Sequence, residues 1–121
     1  MSLQKESKCP LGNIMEVISK KWALLVINTI GNSQKIRYSE IRKTLGAINS
    51  KTLTDRLKEL EEAGLIKREA HAEIPPRVEY SLTEDGKALR EAIMPLMRWI
   101  YSKNTERANT PCDIAYLETQ V

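Results

Sequence analysis

Residues 49 to 64, Asn-Ser-Lys-Thr-Leu-Thr-Asp-Arg-Leu-Lys-Glu-Leu-Glu-Glu-Ala-Gly, constrain this chain more than any other stretch. Leu53, Leu57 and Leu60 recur at i, i+4 and i+7, a spacing that places one narrow apolar stripe on a helix and leaves its other faces polar. Asn49 is a good cap, because its side-chain oxygen can accept from a free backbone N–H of the first turn. Gly64 can take the left-handed conformation that stops a helix. The spacing therefore predicts one bounded helix of about four turns. Ser50, Lys51, Thr52, Thr54, Arg56 and Lys58 lie in its first part, whereas Glu59, Glu61 and Glu62 end it. Acids at a helix C-terminus oppose the macrodipole, so helix stability alone does not explain the layout. A start rich in hydroxyls and positive charge suits a helix presented N-terminus first to a polyanion.

The flanking segments say what that helix sits in. Leu11, Ile14, Met15 and Ile18 form a helical stripe, and Pro10 suits a first helical position, which puts Cys9 at or just before its N-cap. A second helix, Trp22 to Ile30, is apolar almost all round and belongs at the centre of a core or an interface. Lys35-Ile36-Arg37 is a short extended piece. Tyr38, Ile41 and Leu45 mark a third helix ending at Gly46, and only Gly46-Ala47-Ile48 separates it from Asn49. Two helices joined so closely, the first ending in glycine, match a helix-turn-helix, with Ile48 plugging the angle. Beyond Gly64 the period changes: Leu65 to Ala70 and the alternating Val78, Tyr80, Leu82 read as a hairpin. Pro75 and Pro76 forbid regular pairing at its tip. Helix-turn-helix followed by a hairpin is the winged-helix order, so the fold class is α+β, mainly helical. Thr83 caps a last helix with Leu89, Ile93, Leu96, Met97 and Ile100 on one side, and Pro95 should kink or divide it near Met94. Trp99 and Ile100 would stay exposed on a monomer, so a second copy of the chain is the expected cover. Residues 1–8 are expected to be loose, 9–104 to form the winged helix with terminal dimerisation helices, and 105–121 a tail.

At 121 residues, 41% of them hydrophobic and 29% charged, the chain suits one domain with a real core. Its net charge of +3 points only weakly to nucleic acid, but the distribution says more. Seven basic residues face two acids from Lys35 to Lys58, and three face eight from Glu59 to Asp85. The longest apolar run, Trp22 to Ile27, is far too short for a bilayer. Met1 to Lys8 has no apolar signal-peptide core, and two cysteines, Cys9 and Cys112, make neither a disulfide framework nor a metal quartet. A cytoplasmic setting is expected.

Taken together, Cys9-Pro10-Leu11, Lys21-Trp22-Ala23-Leu24-Leu25, Arg37-Tyr38-Ser39-Glu40-Ile41, Leu53 to Ile66 and Pro75 to Thr83 resemble the HxlR family of winged-helix transcription regulators, near the MarR group. The likeness spans nearly everything from Cys9 to about Tyr101. It implies a homodimeric DNA-binding regulator whose terminal helices form the dimer interface, and in some members a cysteine matching Cys9 senses electrophiles or oxidants. One departure is Asn49-Ser50, where the family often has Ser-Pro; asparagine also caps well, so the helix is not in doubt.

With Leu53 as the buried direction, Lys51, Thr54, Asp55 and Lys58 lie on the far side of the helix, flanked by Ser50 and Thr52. The N-terminal residues of such a helix reach base edges in the major groove. Lys51 is the first choice, as a donor to guanine, and Ser50, Thr52 and Thr54 suit bases, thymine methyls or phosphates. Asp55 accepts from cytosine or orients Arg56 or Lys51, and Arg56 is counted with the DNA-contacting set. Arg37, Arg42, Lys43 and Lys58 suit phosphate positioning. Arg77 either enters a minor groove from the wing or pairs with Glu79 or Glu73. The acidic end of the helix is expected to turn away from phosphate toward the hairpin. His71 is the only histidine and reads as a plain wing residue, so no metal or cofactor is expected. Cys9, beside Lys8 at a helix N-terminus, has two reasons for a lowered thiol pKa, the alternative being a small residue that caps or packs. The expected function is a dimeric regulator, a repressor of a palindromic double-stranded operator, with an oxidant acting on Cys9. The alternatives are a winged helix used for protein contacts, and a regulator responding to a small apolar effector between the terminal helices. An enzyme is not expected, because no phosphate loop, metal cluster or nucleophile-base constellation is present.

Overall fold

A computed structural model describes residues 12–107, with side chains through Lys103. The elements run α1 (Asn13–Ile18), α2 (Ala23–Gly31), β1 (Ile36–Arg37), α3 (Tyr38–Leu45), α4 (Ser50–Glu62), β2 (Ile66–His71), β3 (Arg77–Leu82) and α5 (Glu84–Arg107). The strands form one antiparallel sheet in the order β1-β3-β2, so the last strand of the hairpin is central. This is the α+β winged helix that the sequence predicts.

The core is built on α2. Ala23, Val26, Ile27 and Ile30 are fully buried, and around them gather Ile41 and Leu45 of α3, the leucine stripe of α4, Leu65, Ile66, Tyr80 and Leu82 of the hairpin, and Ile93, Met94 and Met97 of α5. Burying side chains of this size contributes roughly 1.5–3 kcal/mol each, which is why a nearly all-apolar helix sits where every other element can touch it. Ile48 is buried between α3 and α4. Two polar side chains share the interior. Thr29 Oγ1 donates to the Leu25 carbonyl at 2.8 Å, and Asn28 Oδ1 accepts from Arg90 Nε at 3.1 Å.

Two boundaries differ from expectation. The first described helix starts at Asn13, not at Pro10, because Gly12 stands at its N-cap with φ 86°, a conformation that breaks the helical path. Cys9 and Pro10, and with them the expected cap, lie outside the described residues. The last helix, Glu84–Arg107, is one continuous element with Pro95 inside it, not divided near Met94. Pro95 does not divide it because the carbonyl that loses its partner belongs to Glu91, which is exposed and open to water.

Both ends of α4 are closed by local chemistry. Asn49 Oδ1 accepts from Thr52 N at 2.8 Å. At the other end Gly64 takes φ 79°, and Gly64 N and Leu65 N donate to the Glu61 and Leu60 carbonyls, each at 3.0 Å. The Thr83 hydroxyl then joins two helices: it donates to the Gly64 carbonyl at 2.6 Å and accepts from Gly86 N at 3.1 Å, capping α5.

Candidate nucleic-acid interface

The exposed end of α4 is the centre of the site. Its buried edge is Leu53, Leu57 and Leu60, so the opposite face is turned outward by the helix period alone. Lys51 lies on that face with its side chain 86% exposed. Its Nζ donates to Asp55 Oδ2 at 3.0 Å one turn along. Ser50 and Thr54 are exposed beside it, and Thr52 is half-buried. Tyr38 Oη donates to the Ser50 carbonyl at 3.2 Å and lies 3.5 Å from Thr54 Oγ1, so α3 fixes the angle of the outward end. Reading Tyr38 only as a core residue misses this; a phenol at the start of α3 facing the hydroxyl-rich turn of α4 is the signal.

The flanks supply positive charge. Arg37, Arg42, Lys43 and Lys58 are exposed. Arg37 stands at the N-cap of α3, where its backbone N–H donates to Glu40 Oε1 at 3.0 Å. Arg68, which the sequence reading passes over, lines one cleft of about 370 Å³ with Lys58, Thr54 and Tyr38 between α4 and the hairpin. It shares a face of β2 with buried Ile66, two residues earlier, and that alternation points it toward α4.

Arg56 is not part of the outward set. Only 16% of its side chain is exposed; Nε donates to the Lys21 carbonyl at 3.0 Å and Nη1 pairs with Glu59. Glu59 also accepts from Lys20 Nζ at 3.0 Å. At Glu59 the acidic end of α4 meets the α1–α2 turn, while Glu61 lines the cleft toward the hairpin with Arg68 and Tyr80. Partial burial raises the Glu59 pKa, but the hydrogen bonds and charges of Lys20 and Arg56 outweigh it and hold the carboxyl below its ordinary range. That turn is itself held in an uncommon shape, since Trp22 has φ 78°.

On the wing, Arg77 pairs with Glu73 at 3.0 Å and lies 3.8 Å from Glu79, so in this state it is bound to both acids that compete with DNA for it. The strand register places two carboxylates beside His71, which the sequence reads as a plain wing residue. Glu69 stands opposite Glu79, and His71 Nε2 lies 3.1 Å from Glu79 Oε1. Lys35 Nζ pairs with Glu69 at 3.0 Å; this hydrogen bond raises the lysine pKa and lowers that of the carboxyl.

A family model, the HxlR-like helix-turn-helix, matches residues 17–108. The chain belongs to the HxlR-like family. It is 39% identical over 90 residues to an uncharacterised HTH-type transcriptional regulator of Halalkalibacterium halodurans, covering 74% of this chain and 80% of that one. A solved structure described as a possible HxlR family transcriptional factor from Thermoplasma volcanium superimposes with a TM-score of 0.73 at 30% identity, over 80% of this chain and 86% of that one. The redox regulator HypR in its oxidised form is similar at a TM-score of 0.70 and 31% identity, over 84% of this chain and all of that one. The HxlR-like protein is accordingly a transcription regulator and not an enzyme. No described helix is long and apolar enough to cross a membrane.

Proposed function

We propose that this HxlR-like protein is a cytoplasmic repressor that binds palindromic operator DNA as a homodimer. The observation that carries the reading is the outward end of α4, where exposed Lys51 stands between Ser50 and Thr54 at the positive end of a helix whose leucine stripe is fully packed. Lys51, Ser50, Thr52 and Thr54 face the major groove, and Arg37, Arg42, Lys43 and Lys58 hold phosphates. Arg77 is kept at the wing by Glu73 until a phosphate or minor groove takes it over. The second copy covers Leu96, Trp99 and Ile100 of α5, all exposed on the single chain. Site selection with purified protein tests this: a palindrome with half-sites about one helical turn apart is expected, and affinity should fall steeply with salt through counterion release. Recovery of random sequence alone, or binding insensitive to salt, would favour a protein-interaction module.

Similarity to the redox regulator HypR supports Cys9 as a thiol through which oxidant releases DNA. Cys9→Ser should make operator affinity indifferent to diamide; equal sensitivity in both proteins removes the idea. A second signal is favoured by an apolar groove of about 540 Å³ lined by Met15, Ile18, Trp22, Leu25, Ile93 and Leu96, between the N-terminal and C-terminal helices. A small apolar effector seated there would raise the melting temperature of the protein while lowering its operator affinity, and Ile93→Trp should abolish both effects.

A further inference from the structure

We propose that Glu69, His71 and Glu79 form a binding site for a divalent transition-metal ion of the zinc class on the outer face of the wing. The antiparallel register sets Glu69 directly opposite Glu79, and His71, two residues after Glu69, shares its face of the sheet. One donor atom from each residue lies within 4.8 Å of the other two. His71 Nε2 and Glu79 Oε1 are already 3.1 Å apart. Zinc at about 2.0–2.2 Å from each donor would place donors roughly 3.3–3.6 Å apart, so modest side-chain rotations close the triangle. All three residues are partly buried on regular strands, which limits how far they can spread.

The donor set selects the ion. One imidazole nitrogen with two carboxylate oxygens suits zinc and its neighbours, whereas magnesium and calcium prefer oxygen alone. A fourth position remains for water. Two carboxylates directly opposite each other on a sheet are unfavourable without a cation between them. Lys35, 3.0 Å from Glu69, and Arg77, 3.8 Å from Glu79, supply that charge now. Such half-exposed pairs are weak, so an ion chelated by three side chains displaces Lys35 from Glu69. The wing then carries Lys35 without its acidic partner, while Arg77 keeps Glu73. On the DNA-binding reading above, this strengthens its attraction for phosphate.

Binding is measured without DNA, so that failure of this site is distinct from failure of the operator reading. The full chain carrying Cys9→Ser and Cys112→Ser, which removes the competing thiolates, is titrated with zinc chloride by calorimetry. Saturable binding of one ion per chain is expected, with no comparable heat from magnesium. His71→Ala and Glu79→Gln should each weaken it by on the order of 10–100-fold. Lys35→Ala should tighten it several-fold, because it removes the resident competitor. Circular dichroism melts identify variants that fold, and Glu69→Gln replaces any that does not. Absence of saturable binding, binding that survives His71→Ala unchanged, or weaker binding in Lys35→Ala would each overturn the site and leave an ion-pair ladder.

Discussion

Arg56 donates from Nε to the carbonyl oxygen of Lys21 at 3.0 Å across the junction between α4 and the α1–α2 turn. Together with Glu59 and Lys20 it clamps the acidic end of α4 while the other end stays exposed. Arg56→Ala should therefore cost about 1.5–3 kcal/mol of stability, the range for hydrogen bonds to charged groups. Lys51→Ala, on the exposed end, should change stability by no more than about 0.5 kcal/mol. Urea unfolding of both variants checks the contrast; equal midpoints would mean that the clamp carries nothing.

Glu59 makes that clamp pH-dependent. Its carboxyl is held below the ordinary value of 4.5 in the folded chain, so the unfolded chain takes up its proton first as pH falls. The contribution is full above pH 4.5 and disappears as pH drops through the lower folded value. Lys35 mirrors it: its pKa lies above 10.5 when folded, so its contribution is full below that pH and is lost as pH rises through the folded value. Unfolding free energy measured from pH 7 to 3 should fall less steeply in Glu59→Gln than in the parent. The same slope in both would exclude Glu59 as a source of acid lability.

Asp55 and Lys51 should separate affinity from specificity. Loss of Lys51, as a base contact, is expected to cost about 1–3 kcal/mol on the selected operator and much less on random DNA. Asp55→Ala removes both a repulsive charge and the bond that aims Lys51. It should raise affinity for random DNA while reducing preference for the operator, read by fluorescence anisotropy at two salt concentrations. An unchanged ratio of the two affinities would count against an orienting role.

Gly86 has no room for a side chain: a Cβ there would lie 2.0 Å from the Leu65 carbonyl oxygen, which is backbone and cannot swing aside. Gly86→Ala should destabilise by about 1–3 kcal/mol through overpacking, although alanine is the better helix former. Thr83→Val, which removes the hydroxyl shared by Gly64 and Gly86, should cost about 1–2 kcal/mol. Thermal melts in which Gly86→Ala is the more stable protein would contradict the close approach.

Trp99 is 59% exposed on α5. On the homodimer reading, Trp99→Glu places a charge in the interface and should shift sedimentation from dimer to monomer. Operator affinity should fall with it, because two half-sites are then bound separately. A dimer of undiminished strength would move the interface elsewhere.

Local signals in the sequence determined the element order, the capped α4, the Thr83 cap and the winged-helix class, because leucine spacing, caps and alternating strand residues act over one or two turns. The buried stripe of Leu53, Leu57 and Leu60 follows from period alone, and the plug at Ile48 from the short link between α3 and α4. Tertiary structure decided which charges are available. Arg56 and Lys58 are both basic residues of one helix, two positions apart, yet the 3.6-residue turn sends the first inward to the Lys21 carbonyl and leaves the second exposed. Strand register brought Glu69 and Glu79 together across ten positions of sequence, and placed His71 beside them. Such pairings are set by how elements dock, and no periodicity within a single element contains them.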